Sequence, residues 1–487
     1  MQVEVRSGGQ READKGALPR TAELGLEAGP FSELVADVLG RLRPDAARFL
    51  ACAPGRLDVI GGLAECTGSL VLAMPVNHQV CVRVQRRRDG SIAVDAQGDP
   101  TSRDQSAAVI PVSQIYGDDG LAVAPQQGLE RLSEFDDTAR SALGAFVEAI
   151  RAGIVSDVAG GLTIAVGAVH PGTDGGAPCS AVAGATLAAT ARALGAELEP
   201  ATALDICRRV ENDWLQWPVG VADAACALVG EPETLMQLRD EADNIAGRIR
   251  LPDDLALVGI SCGNARPDAK LRFRRVRVAA FMGRCLVDRI VRHDGGNRRW
   301  WDGHLSRISV SDYVERFRDR LPTRMNGREF LDRFGETGDP LTRIEPGFVY
   351  KIRSRTEHHI YENARACQFA ECLSRGIRTG DHAVFAEAGE LMYASHWSYG
   401  QRCGLGDVRT DLLVNLIRRR GVSADLYGAK ISGRGCGGGV AVLMRSSDRA
   451  REALRDVQRT FSDETGHKTT LFAGSAAGAL ITGCREI

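Results

Sequence analysis

APGRLDVIGGLAECTGSLVLAMPV, residues 53–76, is the stretch of this 487-residue chain that decides its fold. A Pro-Gly turn leads into an arginine, an aspartate, a Gly-Gly pair and a glutamate, and an apolar run follows. Charged side chains on a loop with a strand behind it are typical of a site for a polar ligand, since loops carry function on a rigid scaffold. The stretch therefore predicts a ligand-binding loop.

Two later segments share these features, PGTDGGAPCSAVAGATLA (residues 171–188) and GAKISGRGCGGGVAVLM (residues 428–444). Each combines glycines with isolated charged residues. Packing alone does not readily explain three such loops on one chain.

The charge balance limits the classes of partner. The chain carries 61 basic and 63 acidic residues, a formal net charge of -2. Such a chain has no general attraction for nucleic acid or for an anionic membrane, so local groups must hold any anionic ligand. We expect small-molecule ligands and neither nucleic acid nor membrane as a partner. The sequence leaves the oligomeric state open.

Cysteine usage and the N-terminal residues favour a cytoplasmic protein. The 13 cysteines include no CxxC pair and no paired zinc spacing, which indicates a reducing compartment. The N-terminal residues MQVEVRSGGQREADKG lack the apolar core of a secretory signal. The rest of the sequence has no run of about 18 apolar residues, so it predicts no membrane span.

Hydrophobic periodicity predicts the main elements. Helices are expected at 31–42, 141–150 and 180–194, in a segment that contains Glu211, and at a start close to Asp223. Strands are expected at 162–169, 255–261, 424–431 and 440–443. Alternating residues 78–86, followed by Asp89-Gly90 and residues 92–94, predict a β-hairpin.

These elements suggest three regions. A polar N-terminal extension with its helix covers residues 1–45, an N-terminal domain covers 46–250, and a C-terminal domain covers 251–487. Residues 293–340, which include a Trp300-Trp301 pair, are interpreted as an insertion with its own small hydrophobic contacts.

In this order the three glycine-rich segments resemble those of the GHMP kinases, a family of small-molecule kinases. Similarity continues through VENDWLQWPVGVADAA from Val210, FMGRCLVDRIV from Phe281 and HHIYENAR from His358. The resemblance implies an α+β fold of two domains with the active site in the cleft between them, and ATP and Mg²⁺ as cofactors. Within the family, the first segment is most similar to the galactokinase-like sugar 1-kinases that phosphorylate L-arabinose.

The resemblance implies a nucleotide site on the second and third loops. The residues implied are Gly172, Gly175, Gly176, Cys179, Ser180, Gly433 and Gly435. Ser180 and Glu211 would ligate the magnesium, which prefers one or two carboxylates plus substrate phosphates. Pro178-Cys179 replaces family serines, and Pro178 removes a backbone donor. A plain structural turn is the alternative for each glycine loop.

The catalytic residues implied are Asp223 and Arg56. Asp223 would accept or orient the proton of the sugar hydroxyl, and Arg56 would hold Asp223 ionised and stabilise charge on the phosphoryl group. The alternatives are a solvated surface position for Asp223 and a structural salt bridge from Arg56 to Asp58.

The sugar would contact Glu65, Gly62, Asp58, Gly220 and Phe273. Galactokinases carry a Glu-His pair, which approaches the exocyclic hydroxymethyl of galactose, where this chain has Gly62 and Leu63. L-arabinopyranose lacks that group, so the replacement favours the pentose. Cys66 and Phe273 each replace a family tyrosine, and Asp58 is also open to a purely structural role.

The sequence thus predicts an ATP-dependent sugar 1-kinase with L-arabinose as the leading substrate. A galactokinase or another GHMP small-molecule kinase is the first alternative. A catalytically weak sugar-binding regulatory protein of the same fold is the second, and Pro178-Cys179 and Phe273 motivate it. The histidines, including His358, His359 and His396, lack metal-ligand spacing and are expected to be packed or exposed.

Overall fold

A computed structural model describes residues 47–96, 108–117, 120–156, 158–168, 178–239, 245–263, 265–297 and 300–487. The helix predicted over 31–42 and the loop glycines Gly172, Gly175 and Gly176 lie outside these ranges. Elements are numbered within them. Across the described residues, no helix is both long and apolar enough to span a membrane.

The strands follow the alternation seen in the sequence, with apolar side chains buried on one or both faces of each sheet. They are β1 (Arg48–Ile60), β2 (Val71–Arg86), β3 (Ser91–Ala96), β4 (Ala108–Pro111), β5 (Gly161–Ala168), β6 (Thr234–Leu238), β7 (Ile245–Arg250), β8 (Leu255–Ser261), β9 (Met325–Asn326), β10 (Val349–Tyr350), β11 (Leu426–Ile431), β12 (Gly439–Arg445), β13 (Thr470–Phe472) and β14 (Arg485–Glu486).

The longer helices bury apolar residues at helical spacing. The helices are α1 (Pro125–Arg131), α2 (Asp137–Arg151), α3 (Pro178–Leu194), α4 (Pro200–Arg209), α5 (Ala222–Val229), α6 (Ala269–His293), α7 (Val310–Asp312), α8 (Gly327–Phe334), α9 (Ile352–Thr379), α10 (His382–Ser398), α11 (Val408–Arg420), α12 (Asp448–Thr465) and α13 (Ala479–Thr482). Two π-helical turns, Val210–Trp214 and Tyr399–Cys403, continue α4 and α10.

The larger sheet has eight strands in the order β14-β1-β2-β5-β3-β4, with β6 paired to β2 and β7 paired to β6. A four-stranded sheet has the order β11-β12-β8-β13. The predicted strands at 162–169, 255–261, 424–431 and 440–443 correspond to β5, β8, β11 and β12. The predicted helices at 141–150 and 180–194 correspond to α2 and α3.

The predicted hairpin between residues 78–86 and 92–94 is wrong in its pairing. Both strands exist, but β5 lies between β2 and β3, antiparallel to the first and parallel to the second. The Asp89-Gly90 turn instead forms a hydrogen bond with the residue just before β5, because Gly90 N donates to Gly160 O at 3.2 Å. The Asp-Gly turn favours a hairpin locally, but β5, which comes much later in the sequence, pairs with both strands and separates them.

Three hydrophobic layers hold the sheets together. One face of the larger sheet packs on α2, α3 and α5. Its other face packs, through β1 and β2, on α9, α10 and one face of the smaller sheet. The second face of the smaller sheet is covered by α11 and α12. The N-terminal and C-terminal parts of the chain therefore meet along β1 and β2.

The segment 293–340 does not form a separate core. Its buried apolar residues, which include Trp301, Tyr313 and Phe330, pack against α6 and α9 in one cluster. The insertion thus extends the C-terminal part of the molecule. The boundary predicted at residues 250 and 251 falls between β7 and β8 and stays a prediction.

Candidate active site

A narrow cleft lies where β1, the turn after it, α5, α6 and the third glycine-rich loop converge. The residues lining it are Arg56, Asp58, Gly62, Leu63, Glu65, Cys66, Pro218, Val219, Gly220, Ala222, Asp223, Phe273, Arg277, Gly433 and Arg434. All seven residues predicted to act on the sugar or in catalysis, from Arg56 to Phe273, are among them.

Asp223 lies in the first turn of α5, where the helix dipole favours a negative charge. Its Oδ1 accepts a hydrogen bond from Arg56 Nε, and its Oδ2 accepts one from Arg434 Nη2 at 3.2 Å. Burial acts to raise the pKa of Asp223, but the charges of Arg56 and then Arg434 outweigh it, so the pKa lies below its ordinary value. Asp223 is therefore ionised at neutral pH.

Arg56 extends from β1 into the cleft and is 8% exposed. Its Nη1 lies 3.8 Å from Asp58 Oδ2 and makes no hydrogen bond in the described part of the chain. Burial acts to lower the pKa of Arg56, whereas Asp223 and Asp58 raise it and keep the guanidinium charged. Because a buried donor without a partner is costly, Nη1 is available to an oxygen of a ligand.

Glu211 and Ser180 meet beside Asp223. Glu211 lies on the π-helical turn after α4, and Ser180 lies in the first turn of α3. Helix α3 packs against that π-helical turn, and the Ser180 hydroxyl acts to lower the pKa of Glu211. Both side chains are buried, and Ser180 Oγ and Glu211 Oε2 lack a hydrogen bond to any described residue by the usual geometry.

This donor pair fits a magnesium ion. Both groups offer a buried oxygen that has no partner in the described part of the chain, and Mg²⁺ prefers oxygen ligands. Among the described residues, no three His, Cys, Asp or Glu side chains converge as a metal cage. A magnesium ion held by Glu211 and Ser180 would therefore complete its shell with phosphate oxygens and water.

The ionisation of Glu211 should make metal binding depend on pH. Burial raises the pKa of Glu211 from 4.5 to about 7, although Arg434 opposes the shift. A metal binds the ionised carboxylate, so we expect the affinity for Mg·ADP to rise between about pH 6 and pH 8. The stability of the metal-free protein should change in the opposite direction. Because the pKa of Glu211 is higher in the folded protein, its contribution lowers the free energy of unfolding as the pH rises from about 4.5 to about 7.

Calorimetric titration and denaturant unfolding across this pH range test the expectation. Glu211→Gln should flatten both pH dependences. Glu148→Gln is the matched control, because Glu148 is equally buried but accepts a hydrogen bond from Trp214 outside the cleft. Equal pH dependence in the wild type and Glu211→Gln would contradict the assignment of Glu211.

Glu65 lines the cleft, but one of its carboxylate oxygens is bound to the backbone at the start of α5. Its Oε1 accepts hydrogen bonds from the backbone N–H groups of Val221 at 2.8 Å and Ala222 at 3.0 Å. A Cβ at Gly220 would lie 2.2 Å from Glu65 Cδ, so glycine is required there for this close approach. Glu65 therefore caps the start of α5 and fixes the position of Asp223 as well as lining the cleft.

Asp58 lies below the Gly-Gly turn. Its Oδ2 is 3.4 Å from Lys430 Nζ, and both side chains are fully buried. A Cβ at Gly62 would come within 2.5 Å of Asp58 Oδ2, so no side chain fits at position 62 without moving this buried pair. The observed contacts of Asp58 are structural.

Further buried groups hold the same turn. Leu63 N donates to Tyr399 Oη at 3.0 Å, and Gly61 N donates to Glu362 Oε1 at 3.2 Å. Of the predicted packed histidines, His358 bonds Ser398 and His359 bonds Thr67 at 2.9 and 2.8 Å. Burial lowers the pKa of His359 to about 3, so it is neutral.

Arg277 is a site residue for which the sequence gives no separate signal. It lies four residues after Phe273 on α6, within a run of arginines, and only the fold shows that it faces the cleft. Asp339, from the 293–340 segment, accepts two hydrogen bonds from its guanidinium, each at 2.8 Å. The insertion thus positions a cation at the cleft beside Phe273.

The third loop brings a second unpredicted cation. Arg434 Nη2 donates to Glu211 Oε1 at 2.7 Å as well as to Asp223, and its Cζ lies 4.4 Å from the centre of the Trp217 ring. An arginine between glycines was visible in the sequence, but its partners were not. Of the predicted nucleotide residues, Gly433 lines the cleft beside Arg434.

Cys179 lies next to this charged group. Burial raises the pKa of the Cys179 thiol to about 12, and the nearby Glu211 adds to the shift while Arg434 opposes it. The thiol is therefore neutral and not a nucleophile. Gly435 belongs to the same loop as Arg434, where a Cβ would lie 2.8 Å from Leu405 O.

The chain is similar in sequence to known sugar kinases. The family model described as "GHMP kinases C terminal" matches residues 382–463. L-arabinokinase of Arabidopsis thaliana is 30% identical over 88% of this chain and 46% of that protein. Galactokinase of Mycobacterium bovis (strain BCG / Pasteur 1173P2) is 26% identical over 84% of this chain and 92% of that protein. The chain thus spans about half the length of L-arabinokinase.

Solved structures share the fold. Lactococcus lactis galactokinase complexed with galactose has a TM-score of 0.65 at 16% identity, over 93% of this chain and 98% of that chain. Methanococcus jannaschii mevalonate kinase has a TM-score of 0.53 at 11% identity, over 90% and 98%. These likenesses confirm the predicted α+β fold of two domains.

Proposed function

We propose that this chain, which is similar to GHMP kinases in sequence and in fold, is an ATP-dependent sugar kinase acting on the anomeric hydroxyl of a monosaccharide. The single observation that carries the proposal is the Asp223 carboxylate, buried and ionised between two arginines. Next to it are polar atoms on Arg56, Glu211 and Ser180 that have no hydrogen-bond partner among the described residues. A carboxylate, a free guanidinium nitrogen and a metal-type donor pair are the parts that phosphoryl transfer requires.

In the proposed reaction the sugar oxygen forms a bond to the γ-phosphorus as the bond to the β,γ-bridging oxygen breaks. ADP leaves, and the hydroxyl proton passes to the Asp223 carboxylate. The lowered pKa of Asp223 makes it a weak base, so it orients the hydroxyl first and receives the proton late in the transfer. Arg56 Nη1 is placed to hold a phosphoryl oxygen.

Glu211 and Ser180 would hold the magnesium ion, which neutralises charge on the nucleotide phosphates when bound. Arg56 and the start of α5 fix Asp223 without the metal. Glu65 contributes by capping α5, so the geometry of the general base is set before any ligand arrives.

L-arabinose is the substrate we propose. Gly62 cannot carry a polar side chain because Asp58 lies directly below it, and its neighbour Leu63 is apolar and buried. A hexose would direct its exocyclic hydroxyl toward Gly62 and Leu63, which offer it no side-chain hydrogen bond. The unpaired hydroxyl would weaken binding by about 1 to 3 kcal/mol. A pentopyranose carries no such group.

An assay of ADP release with Mg·ATP across pentoses, hexoses and non-sugar alcohols tests both parts of the proposal. We expect the highest kcat/KM for L-arabinose, with galactose about 10- to 100-fold lower. Preference for galactose would overturn the substrate assignment. Turnover only with a non-sugar alcohol, or with no acceptor at all, would overturn the sugar-kinase assignment.

Asp339→Asn should weaken sugar binding without disabling the chemistry. The change removes charge from the pair that holds Arg277, so that guanidinium loses its fixed orientation in the cleft. We expect the sugar KM to rise about 10-fold while kcat changes little, as for uniform binding.

Steady-state kinetics with varied sugar check this expectation. Glu345→Gln is the matched control, because Glu345 makes a similar two-bonded pair with Arg275 on the same helix outside the cleft lining. A large fall in kcat with unchanged KM would show that Arg277 acts on the phosphoryl group instead.

A further inference from the structure

The third glycine-rich loop places one guanidinium nitrogen between two carboxylates of the proposed active site. Arg434 Nη2 lies 2.7 Å from Glu211 Oε1 and 3.2 Å from Asp223 Oδ2. These carboxylates belong to different elements, the π-helical turn after α4 and the helix α5. Arg434 comes from the loop between β11 and β12, so this contact joins the two halves of the molecule across the cleft.

The Arg434 side chain is mostly buried but keeps some contact with solvent. The Trp217 ring covers it at 4.4 Å, and 20% of the side chain remains exposed. The indole provides a cation–π surface that does not depend on the carboxylates. The guanidinium can therefore change its hydrogen-bond partners while it stays against the ring.

The position of Arg434 conflicts with a loaded site. Arg434 Nη2 occupies one carboxylate oxygen of Glu211, the proposed metal ligand, and one of Asp223, the proposed base. A divalent cation on Glu211 would also lie close to the guanidinium and be repelled by it. A metal on Glu211 and a sugar hydroxyl at Asp223 would therefore compete with the two contacts of Arg434.

We propose that Arg434 is a movable clamp, which neutralises Glu211 and Asp223 in the free enzyme and transfers to a phosphoryl oxygen when the magnesium nucleotide binds. A planar guanidinium suits both partners, because carboxylate and phosphate accept the same paired hydrogen bonds. This inference rests on the proposed kinase function and adds a catalytic cation to Arg56. The exchange also frees Asp223 to meet the sugar hydroxyl.

The first test measures metal binding without turnover. Mn²⁺ alone is titrated by calorimetry at pH 9, where Glu211 is ionised, into the wild type, Arg434→Ala and Arg434→Lys. Loss of the competing guanidinium should tighten Mn²⁺ binding by about 10-fold in Arg434→Ala. Arg402→Ala is the matched control, because Arg402 also stacks on a tryptophan and pairs with a glutamate but lies outside the cleft lining.

The second test follows the clamp itself. Addition of Mg·ADP should change the tryptophan emission of the wild type, and Trp217→Phe should remove that change. Arg434→Ala should also lack the change and should lose about 100-fold or more in kcat with Mg·ATP. Arg434→Lys keeps the charge without the planar fork, so it should recover part of the rate and remains informative if the alanine variant fails to fold.

Unchanged Mn²⁺ affinity and an unchanged emission response in Arg434→Ala and Arg434→Lys would overturn the clamp and leave the kinase assignment intact. The opposite failure looks different. If the wild type phosphorylates no sugar, yet Mn²⁺ binding and Trp217 emission respond to Arg434 as expected, the proposed function fails while the carboxylate-to-ligand exchange stands.

Discussion

Replacement of Asp223 by asparagine is expected to lower kcat by about 100- to 10,000-fold while the sugar KM changes little. The amide has nearly the same shape, so it can still orient a hydroxyl, but it neither accepts the proton nor carries the charge. It also offers an NH₂ group to Arg56 or Arg434 where each needs an acceptor. Both effects act on the transition state more than on the bound sugar.

Steady-state kinetics with Mg·ATP and L-arabinose measure this effect. Asp213→Asn is the control, because Asp213 lies two residues after Glu211 on the same π-helical turn and does not line the cleft. A variant with near-wild-type kcat would show that Asp223 is not the group that receives the proton.

Arg56→Lys is expected to lower kcat by about 100- to 1,000-fold, the usual effect of losing one preorganised donor at developing charge. A lysine can pair with Asp223 through a single ammonium group, but it cannot also present the second nitrogen that Arg56 Nη1 offers. Arg87→Lys is the control, because Arg87 also pairs with an aspartate, Asp89, but does so at the protein surface away from the cleft.

The same substitution should move the pH dependence of kcat. In the wild type, Arg56 is the foremost charge that lowers the pKa of Asp223 against the effect of burial. With that interaction weakened the pKa rises, so the ionised form needed for the reaction is lost at a higher pH as the solution is acidified. An acid limb at the same pH in both proteins would contradict the role given to Arg56.

The sequence predicted the main elements because their patterns are local. Strand β8 follows from its short apolar run, and helix α3 follows from a run of small and apolar residues without clusters of Pro or Gly. The pairing of β3 did not follow, because its partner β5 comes about 70 residues later and nothing in the Asp89-Gly90 turn indicates the intervening strand.

The site was predictable where a motif fixed it and not where only the tertiary fold did. Arg56, Asp223 and the glycines around them were identified by resemblance, and they line one cleft. Arg277 looked like one arginine among many on α6, since its partner Asp339 is 62 residues away. Glu65 was predicted to contact sugar hydroxyls, and its bonds to the start of α5 depend on the close approach of Gly220.

In the reaction we propose, this cleft transfers the γ-phosphoryl group of ATP to the anomeric oxygen of L-arabinose. Coupled ³¹P and ¹³C NMR of the protein incubated with Mg·ATP and L-[1-¹³C]arabinose tests it most directly. We predict a new sugar phosphate signal coupled to carbon 1, which grows in step with ADP and grows at least about 100-fold more slowly with Asp223→Asn. Unchanged ATP and arabinose, or phosphate on another hydroxyl, would contradict the claim.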